Sequence, residues 1–254
     1  MAAWTIPDLI LGAAPEPPYR LDPAAFRRPD HAADTPSRRM ALAALPAGGS
    51  VLDVGAGAGA ASLALVPPAG RITAVDTAAD MLAAFAAAAE DAGVAHEEVQ
   101  GRWPDVADAV CSADVVVCHH VAYNVADLGA FASALAMHAR SRVVLELTTV
   151  HPWQPMNPLW KALHDLDRPD GPTADDARSV LAEVGIAALE VRWRRSGRQP
   201  EVTPETVAHA RRRLCLPAAR DQEIADLLEG VPLRPDTIAT LWWDGPGLRA
   251  ARGA

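Results

Sequence analysis

The run Val51-Leu52-Asp53-Val54-Gly55-Ala56-Gly57-Ala58-Gly59 joins an acid to a Gly-x-Gly-x-Gly turn. Its apolar start reads as a strand and its Ala-rich continuation as a helix, so the glycines fall in a tight strand-to-helix loop. Glycine admits φ > 0 and removes the side chain that would hold a ligand off the backbone. Unpaired amides at the start of a helix then face a polar ligand. Further on, Arg71-Ile72-Thr73-Ala74-Val75 reads as a second strand that ends at Asp76. An acid there can accept hydrogen bonds from both hydroxyls of a ribose. Loop, helix, strand and acid together describe a site for a nucleoside-bearing ligand.

Gly55-x-Gly57-x-x-Ala60 satisfies the dinucleotide fingerprint, so NAD is one reading of the loop. Asp53 weighs against it. A carboxylate beneath the loop repels a pyrophosphate but not a cationic amino acid. The pattern Asp53-x-Gly55-x-Gly57-x-Gly59 resembles motif I of the class I S-adenosylmethionine (SAM) dependent methyltransferases. Thr73-Ala74-Val75-Asp76 followed by Met81-Leu82 is similar to that family's second motif, and the resemblance runs from Val51 to Thr148. It implies SAM as cofactor and S-adenosylhomocysteine as product. The cofactor-binding residues it implies are Asp53, Gly55, Ala56, Gly57, Gly59, Asp76, Thr77, Met81, Arg102, Trp103, Cys118, His119 and Tyr123.

In the resembling family the segment after the third strand, here Gly101-Arg102-Trp103-Pro104-Asp105, binds adenine. Trp103 can pack on a base or plug the core, since indole serves both purposes. The fourth strand ends in Cys118-His119-His120-Val121-Ala122-Tyr123-Asn124, which in the resemblance lines the groove between methyl donor and acceptor. Methyl transfer needs an aligned nucleophile and, for a hydroxyl, removal of its proton. Histidine titrates near neutrality and can take that proton. His119 and His120 are thus the candidate catalytic pair, set against a purely structural role for both. As neighbours, the two are expected to point in different directions. Asn124 is followed by Val125, so the Asn-Pro-Pro-aromatic pattern of base-amine methylation is not matched. Glu146 and His151 near the fifth strand lack ligand spacing, and no metal is expected.

The segment His151-Pro152-Trp153-Gln154-Pro155-Met156-Asn157-Pro158-Leu159-Trp160 reads as a proline-stiffened, extended lid. With His120, Tyr123 and Asn124, the lid residues His151, Trp153 and Trp160 make up the expected substrate-binding set. The lid and a helical stretch from Thr203 to Gly230 are expected to roof a pocket beside the donor methyl. Arg192, Arg194, Arg195 and Arg211-Arg212-Arg213 can hold an anion, although a solvated face is the simpler account.

Half of the 254 residues are apolar, enough to bury a full core. The net charge of −9 disfavours a nucleic-acid partner. No apolar run is long enough for a membrane span, which takes about 18 residues. The start, Met1 to Asp8, lacks the basic region of a signal peptide. Three cysteines with no Cys-x-x-Cys pairing suggest neither a disulfide framework nor a zinc ribbon, and fit a cytoplasmic location. A small-molecule acceptor, methylated on oxygen or nitrogen, is the expected partner, and a homodimer is compatible with the sequence. Three alternatives stay open: an NAD(P)-dependent reductase, a non-enzymatic SAM-binding module, and an RNA or protein methyltransferase.

The elements that must position these residues alternate regularly. Strands are expected at 51–54, 72–75, 94–100, 113–118, 142–147, 189–193 and 237–243. Helices are expected at 36–45 (capped by Thr35), 60–65, 79–92, 128–139 and 173–184, with Gly93 and Gly185 closing two of them. This alternation indicates an α/β fold: a doubly wound, mostly parallel, seven-stranded Rossmann-like sheet. One domain over 1–254 is expected. It comprises a Pro-rich N-terminal arm (1–36, with Tyr19, Phe26 and His31), a SAM-binding core (37–150), and a lid, helical insertion and last strands (151–254).

Overall fold

The computed structural model describes residues 4–18, 34–195, 201–229, 231–232 and 234–245. Tyr19, Phe26 and His31 of the expected arm lie outside the described residues. The chain groups into two compact units, one within Met1–Leu21, Thr148–Thr173 and Arg194–Ile238, the other within Asp22–Leu147, Ala174–Trp193 and Ala239–Ala254.

The larger unit is built on a seven-stranded sheet of β1 (Ser50–Val54), β2 (Arg71–Asp76), β3 (Ala95–Gln100), β4 (Ala113–His119), β5 (Ala139–Thr148), β6 (Leu189–Arg194) and β7 (Thr237–Asp244), in the order β3-β2-β1-β4-β5-β7-β6. The pairs β1–β2, β1–β4, β2–β3 and β4–β5 are parallel. At the two ends of β7 the Thr149 amide bonds the Thr237 carbonyl and the Gly245 amide bonds the Ser141 carbonyl. The start of β7 therefore lies beside the end of β5, and that pair is antiparallel. The expected mostly parallel sheet is the observed one.

Buried side chains alternate to both faces of the sheet. Leu52, Val116 and Leu145 enter one core with Phe131 and Leu135, and Val51, Val115 and Val144 enter the other with Ile72 and Phe85. Burial on both faces explains the near-continuous apolar runs of the central strands. Edge strand β3, AHEEVQ, is charged and largely exposed, as an unpaired edge requires.

Around the sheet lie α2 (Pro36–Leu42), α3 (Ala79–Asp91), α4 (Leu128–His138) and α6 (Ala174–Glu183), while α1 (Asp8–Gly12) and α5 (Asn157–His164) belong to the smaller unit. Thr35 caps α2, its hydroxyl accepting the Arg38 amide. The helix expected over 60–65 is instead a run of turns ending in the 3-10 segment Leu63–Leu65. Ser62 gives its amide to the Asp53 carboxylate, and Pro67 and Pro68 bring no donors to continue a helix.

The smaller unit packs α1, α5, α7 (Pro204–Arg213) and α8 (Asp221–Leu228) around Ile6, Leu159, Trp160, Leu214, Ile224 and Leu228. The extended, proline-stiffened lid expected at 151–160 is not observed. Pro155 and Pro158 occupy the first turns of the 3-10 segment Gln154–Met156 and of α5, where a missing N–H costs nothing. The helical stretch 203–230 is present as α7 and α8, and Thr203 and Thr206 close a capping box on α7. Among the described residues, no helix is long and apolar enough to cross a membrane.

Candidate active site

Sheet register assembles the site. The ends of β1, β2 and β4 are neighbours, because Asp53 pairs with Ala74 on one side and with Val117 on the other. The glycine loop leaves β1 between them. Gly55 and Gly59 are required by packing. A Cβ at Gly55 would meet Val121 Cγ2 at 2.3 Å, and one at Gly59 would meet Phe85 Cδ2 at 2.6 Å. Gly57 differs. It has φ +54 and open space around its missing Cβ, so its backbone presents a bare face. Ala56 beside it is buried.

Asp76 closes the loop from β2. Its Oδ2 accepts the Gly57 amide at 2.8 Å and its Oδ1 accepts the Ala78 amide at 2.9 Å. Each oxygen keeps a second lone pair that can take a ribose hydroxyl. Asp53 is buried. Its Oδ2 accepts both the hydroxyl (2.6 Å) and the amide (3.3 Å) of Ser62, and its Oδ1 has no partner among the described residues. Burial pushes its pKa up from the ordinary 3.8 to about 6, against the two Ser62 bonds, and the charge of Asp76 adds to the rise.

The open backbone at Gly57, the carboxylate of Asp76 and the unpartnered Asp53 oxygen fit a cationic nucleoside such as SAM better than a pyrophosphate. Gly57 and its loop would hold the amino-acid part and Asp76 the ribose.

At the end of β4, His119 lies opposite Glu146 of β5. His120 then adopts φ +60, a left-handed conformation rare outside glycine. The turn brings its ring back to the same carboxylate. His120 Nε2 is 3.1 Å from Glu146 Oε1, and His119 Nδ1 is 3.9 Å from Oε2. The expectation that the two rings diverge is corrected, because a strand followed by a left-handed residue folds both toward one partner. The His120 amide also donates to the Glu146 carbonyl at 2.7 Å, and His120 Nδ1 is 2.7 Å from the Tyr123 hydroxyl. Burial alone would raise the Glu146 pKa. The charges of His119 and His120 and the bonds from His120 and Ser37 outweigh it and hold the carboxyl well below its usual range.

The remaining expected residues have the following surroundings. Trp103 is buried in the core with its N–H directed to the Phe131 carbonyl at 3.3 Å, which is the core-plug arrangement. Cys118 is fully buried, and burial with the charge of Asp53 pushes its thiol up. Met81 is buried on α3, on the face that also carries Phe85. Thr77, Arg102 and Asn124 are exposed. His151, Trp153 and Trp160 belong to the smaller unit. There His151 stacks on Trp4 at 3.8 Å, Trp153 stacks on His209, and Arg168 sits 5.0 Å above the Trp160 ring. Burial, with Arg213 and Arg168 nearby, lowers the His151 pKa to about 4, so the ring is neutral. The arginines considered for an anion site largely face carboxylates, Arg192 with Glu190 and Asp175, and Arg211 with Glu16 and Asp221. Among the described residues no group of three or more His, Cys, Asp or Glu side chains is arranged to hold a metal ion.

Sequence reasoning missed Ser37, Thr240 and Trp193. The Ser37 hydroxyl bonds Glu146 and also Thr240 Oγ1 at 2.6 Å, and Trp193 Nε1 donates to Thr240 Oγ1 at 2.9 Å.

Residues 51–142 match the family described as methyltransferase domain. No curated protein matches the chain. The fold is similar to that of the YcgJ protein of Bacillus subtilis, at 19% identity over 81% of this chain and 96% of that one, with a TM-score of 0.54. It is also similar to magnesium protoporphyrin IX methyltransferase of Synechocystis PCC 6803 with bound S-adenosylhomocysteine, at 17% identity over 77% and 73%, TM-score 0.50. A third likeness is to precorrin 8w decarboxylase of Methanobacterium thermoautotrophicum, at 12% identity over 94% and 98%, TM-score 0.50. The likeness establishes the fold, and the family match covers the residues that form the loop, Asp76 and the paired histidines. Residues 51–142 therefore match a methyltransferase domain, and they do so on a fold shared with solved methyltransferase structures.

Proposed function

We propose that the enzyme transfers the methyl group to an oxygen or nitrogen of a small organic molecule, and that the His119–His120 pair serves as the base. The observation that carries this reading is the convergence of both imidazoles on buried Glu146, with the following residue, Val121, packed against Gly55 of the loop. When bound, SAM supplies an electrophilic methyl on a good leaving group. The chain's own work is to hold an acceptor in line, exclude water and receive a proton. The net charge of −9 favours a small acceptor over RNA, which calls for an open basic surface. A cytoplasmic setting, where thiols stay reduced, fits the three free cysteines.

The test is methyl transfer from labelled SAM to a panel of small hydroxy and amino compounds, alongside purified RNA and protein extract. Labelled small molecules are expected. Label found solely in RNA or protein would overturn the reading. Replacing the histidine that acts as base should cut turnover by about 10²–10⁴ while SAM affinity stays near wild type. Gly57→Val should abolish SAM binding in a domain that circular dichroism shows to be folded, because a branched side chain would fill the bare face at φ +54.

A further inference from the structure

We propose that Tyr123, His120 and Glu146 form a relay that takes the proton of a hydroxyl acceptor, and that Ser37, Thr240 and Trp193 hold the carboxylate from behind. The inference rests on the methyl-transfer reading above and narrows it to oxygen.

The two ends of the network have fixed roles. An indole N–H can only donate and an ionised carboxylate can only accept. Trp193 donates to Thr240 Oγ1, Thr240 and Ser37 share a hydrogen bond at 2.6 Å, and the Ser37 hydroxyl helps lower the Glu146 pKa. On the other side, Glu146 Oε1 accepts from His120 Nε2. Whenever the ring is neutral, this contact places its proton on Nε2 and its lone pair on Nδ1. At 2.7 Å from that lone pair, the Tyr123 hydroxyl is the donor. A buried carboxylate with donors on both sides keeps its charge and stabilises an imidazolium against it. The left-handed backbone of His120 is unfavourable at a non-glycine residue, and it is this conformation that points the ring at both partners.

The relay suits one class of acceptor. Phenol-like hydroxyls hold their proton to a pKa of about 10. A carboxylate is already ionised near neutrality, a thiol is partly so, and a neutral amine attacks through its own lone pair and sheds its proton afterwards. In the step itself, the acceptor oxygen forms a bond to the methyl carbon. The carbon–sulfur bond breaks and its electron pair stays on sulfur, which becomes a neutral thioether. The hydroxyl proton passes to Tyr123 Oη as the Tyr123 proton passes to His120 Nδ1. The imidazolium keeps its Nε2 proton on Glu146. Its side chain is 35% exposed, so the extra proton leaves to solvent from there.

The full-length protein labelled with ¹⁵N-histidine tests the relay without any acceptor. Long-range proton–nitrogen spectra are expected to show neutral His120 as the Nε2–H tautomer in the wild type, and a tautomer mixture in Glu146→Leu. An Nδ1–H tautomer in the wild type overturns the relay, whatever the acceptor. The second arm uses labelled SAM with phenols and shape-matched amines. Hydroxyl compounds alone should be methylated. Tyr123→Phe and Glu146→Gln should each lower turnover about 10²-fold or more, with S-adenosylhomocysteine affinity of Glu146→Gln unchanged within twofold. Methylation of amines, or a Tyr123→Phe enzyme at full speed, overturns the assignment. No transfer to any small molecule would overturn the earlier reading instead, and the tautomer would still decide the relay.

Discussion

Asp53 on β1 and Glu146 on β5 are both buried carboxylates near the carboxyl edge of the same sheet, and their surroundings are opposite. Asp53 has one serine on one oxygen, no partner on the other, and a second acid, Asp76, nearby. Glu146 has an imidazole on each oxygen and the Ser37 hydroxyl as well. Desolvation acts on both, but it prevails only at Asp53, whose pKa rises to about 6, while that of Glu146 falls. The difference separates a carboxylate whose free oxygen is suited to a cation from one whose charge is already spoken for by the protein. On the proposed function, the first would lie on the methyl donor's side of the edge and the second on the acceptor's.

The sharpest way to break this contrast is Glu146→Leu, which strands the donors of His120 and Ser37. Loss of one partner from a buried charged pair costs about 3–5 kcal/mol. The folded pKa of Glu146 lies below its unfolded value, so its contribution is present above about pH 4.5 and is lost as pH falls further. Thermal unfolding should show the deficit at pH 7 and a smaller one at acid pH. A variant as stable as wild type at pH 7 would remove the special standing of Glu146.

Asp53→Asn should act in the opposite sense. Its folded pKa lies above its unfolded one, so the folded state binds the extra proton. The group's cost is absent below about pH 4, grows through the window up to about pH 6 and is complete above it. The amide should stabilise the protein by up to about 3 kcal/mol at pH 7, with no gain at pH 4. Unfolding curves at the two pH values check this, and an equal effect at both would refute the buried, weakly partnered charge.

Asp76→Ala removes charge-assisted bonds to the ribose, each worth about 1.5–3 kcal/mol, and SAM affinity measured by calorimetry should fall tenfold or more. The smallest effect is expected for Ser37→Ala. Loss of one bond to Glu146 should cost about 1 kcal/mol in a denaturant titration.

The donor side of this contrast was legible in sequence and the acceptor side only partly. Asp53, the glycines and Asp76 announce themselves because a strand-loop-helix-strand pattern is local, and its apolar runs place each strand within a residue or two. The helix misplaced at 60–65 failed because Ser62 bonds Asp53 rather than a helical carbonyl. The lid misplaced at 151–160 failed because proline is as acceptable in a first helical turn as in an extended chain. Ser37 and Thr240 touch across 203 positions, and nothing in the local pattern of either marks the contact. His120's left-handed turn has no sequence signal either. The one available clue was register: aligning the expected β4 and β5 sets Glu146 opposite His119.

The division of the edge into a donor side and an acceptor side is tested most directly by calorimetric titration of S-adenosylhomocysteine into wild-type, Asp76→Ala and Glu146→Gln protein. The account predicts tight binding to wild type, at least about a tenfold loss for Asp76→Ala, and an affinity within twofold of wild type for Glu146→Gln. Equal losses in the two variants, or a loss confined to Glu146→Gln, would contradict it.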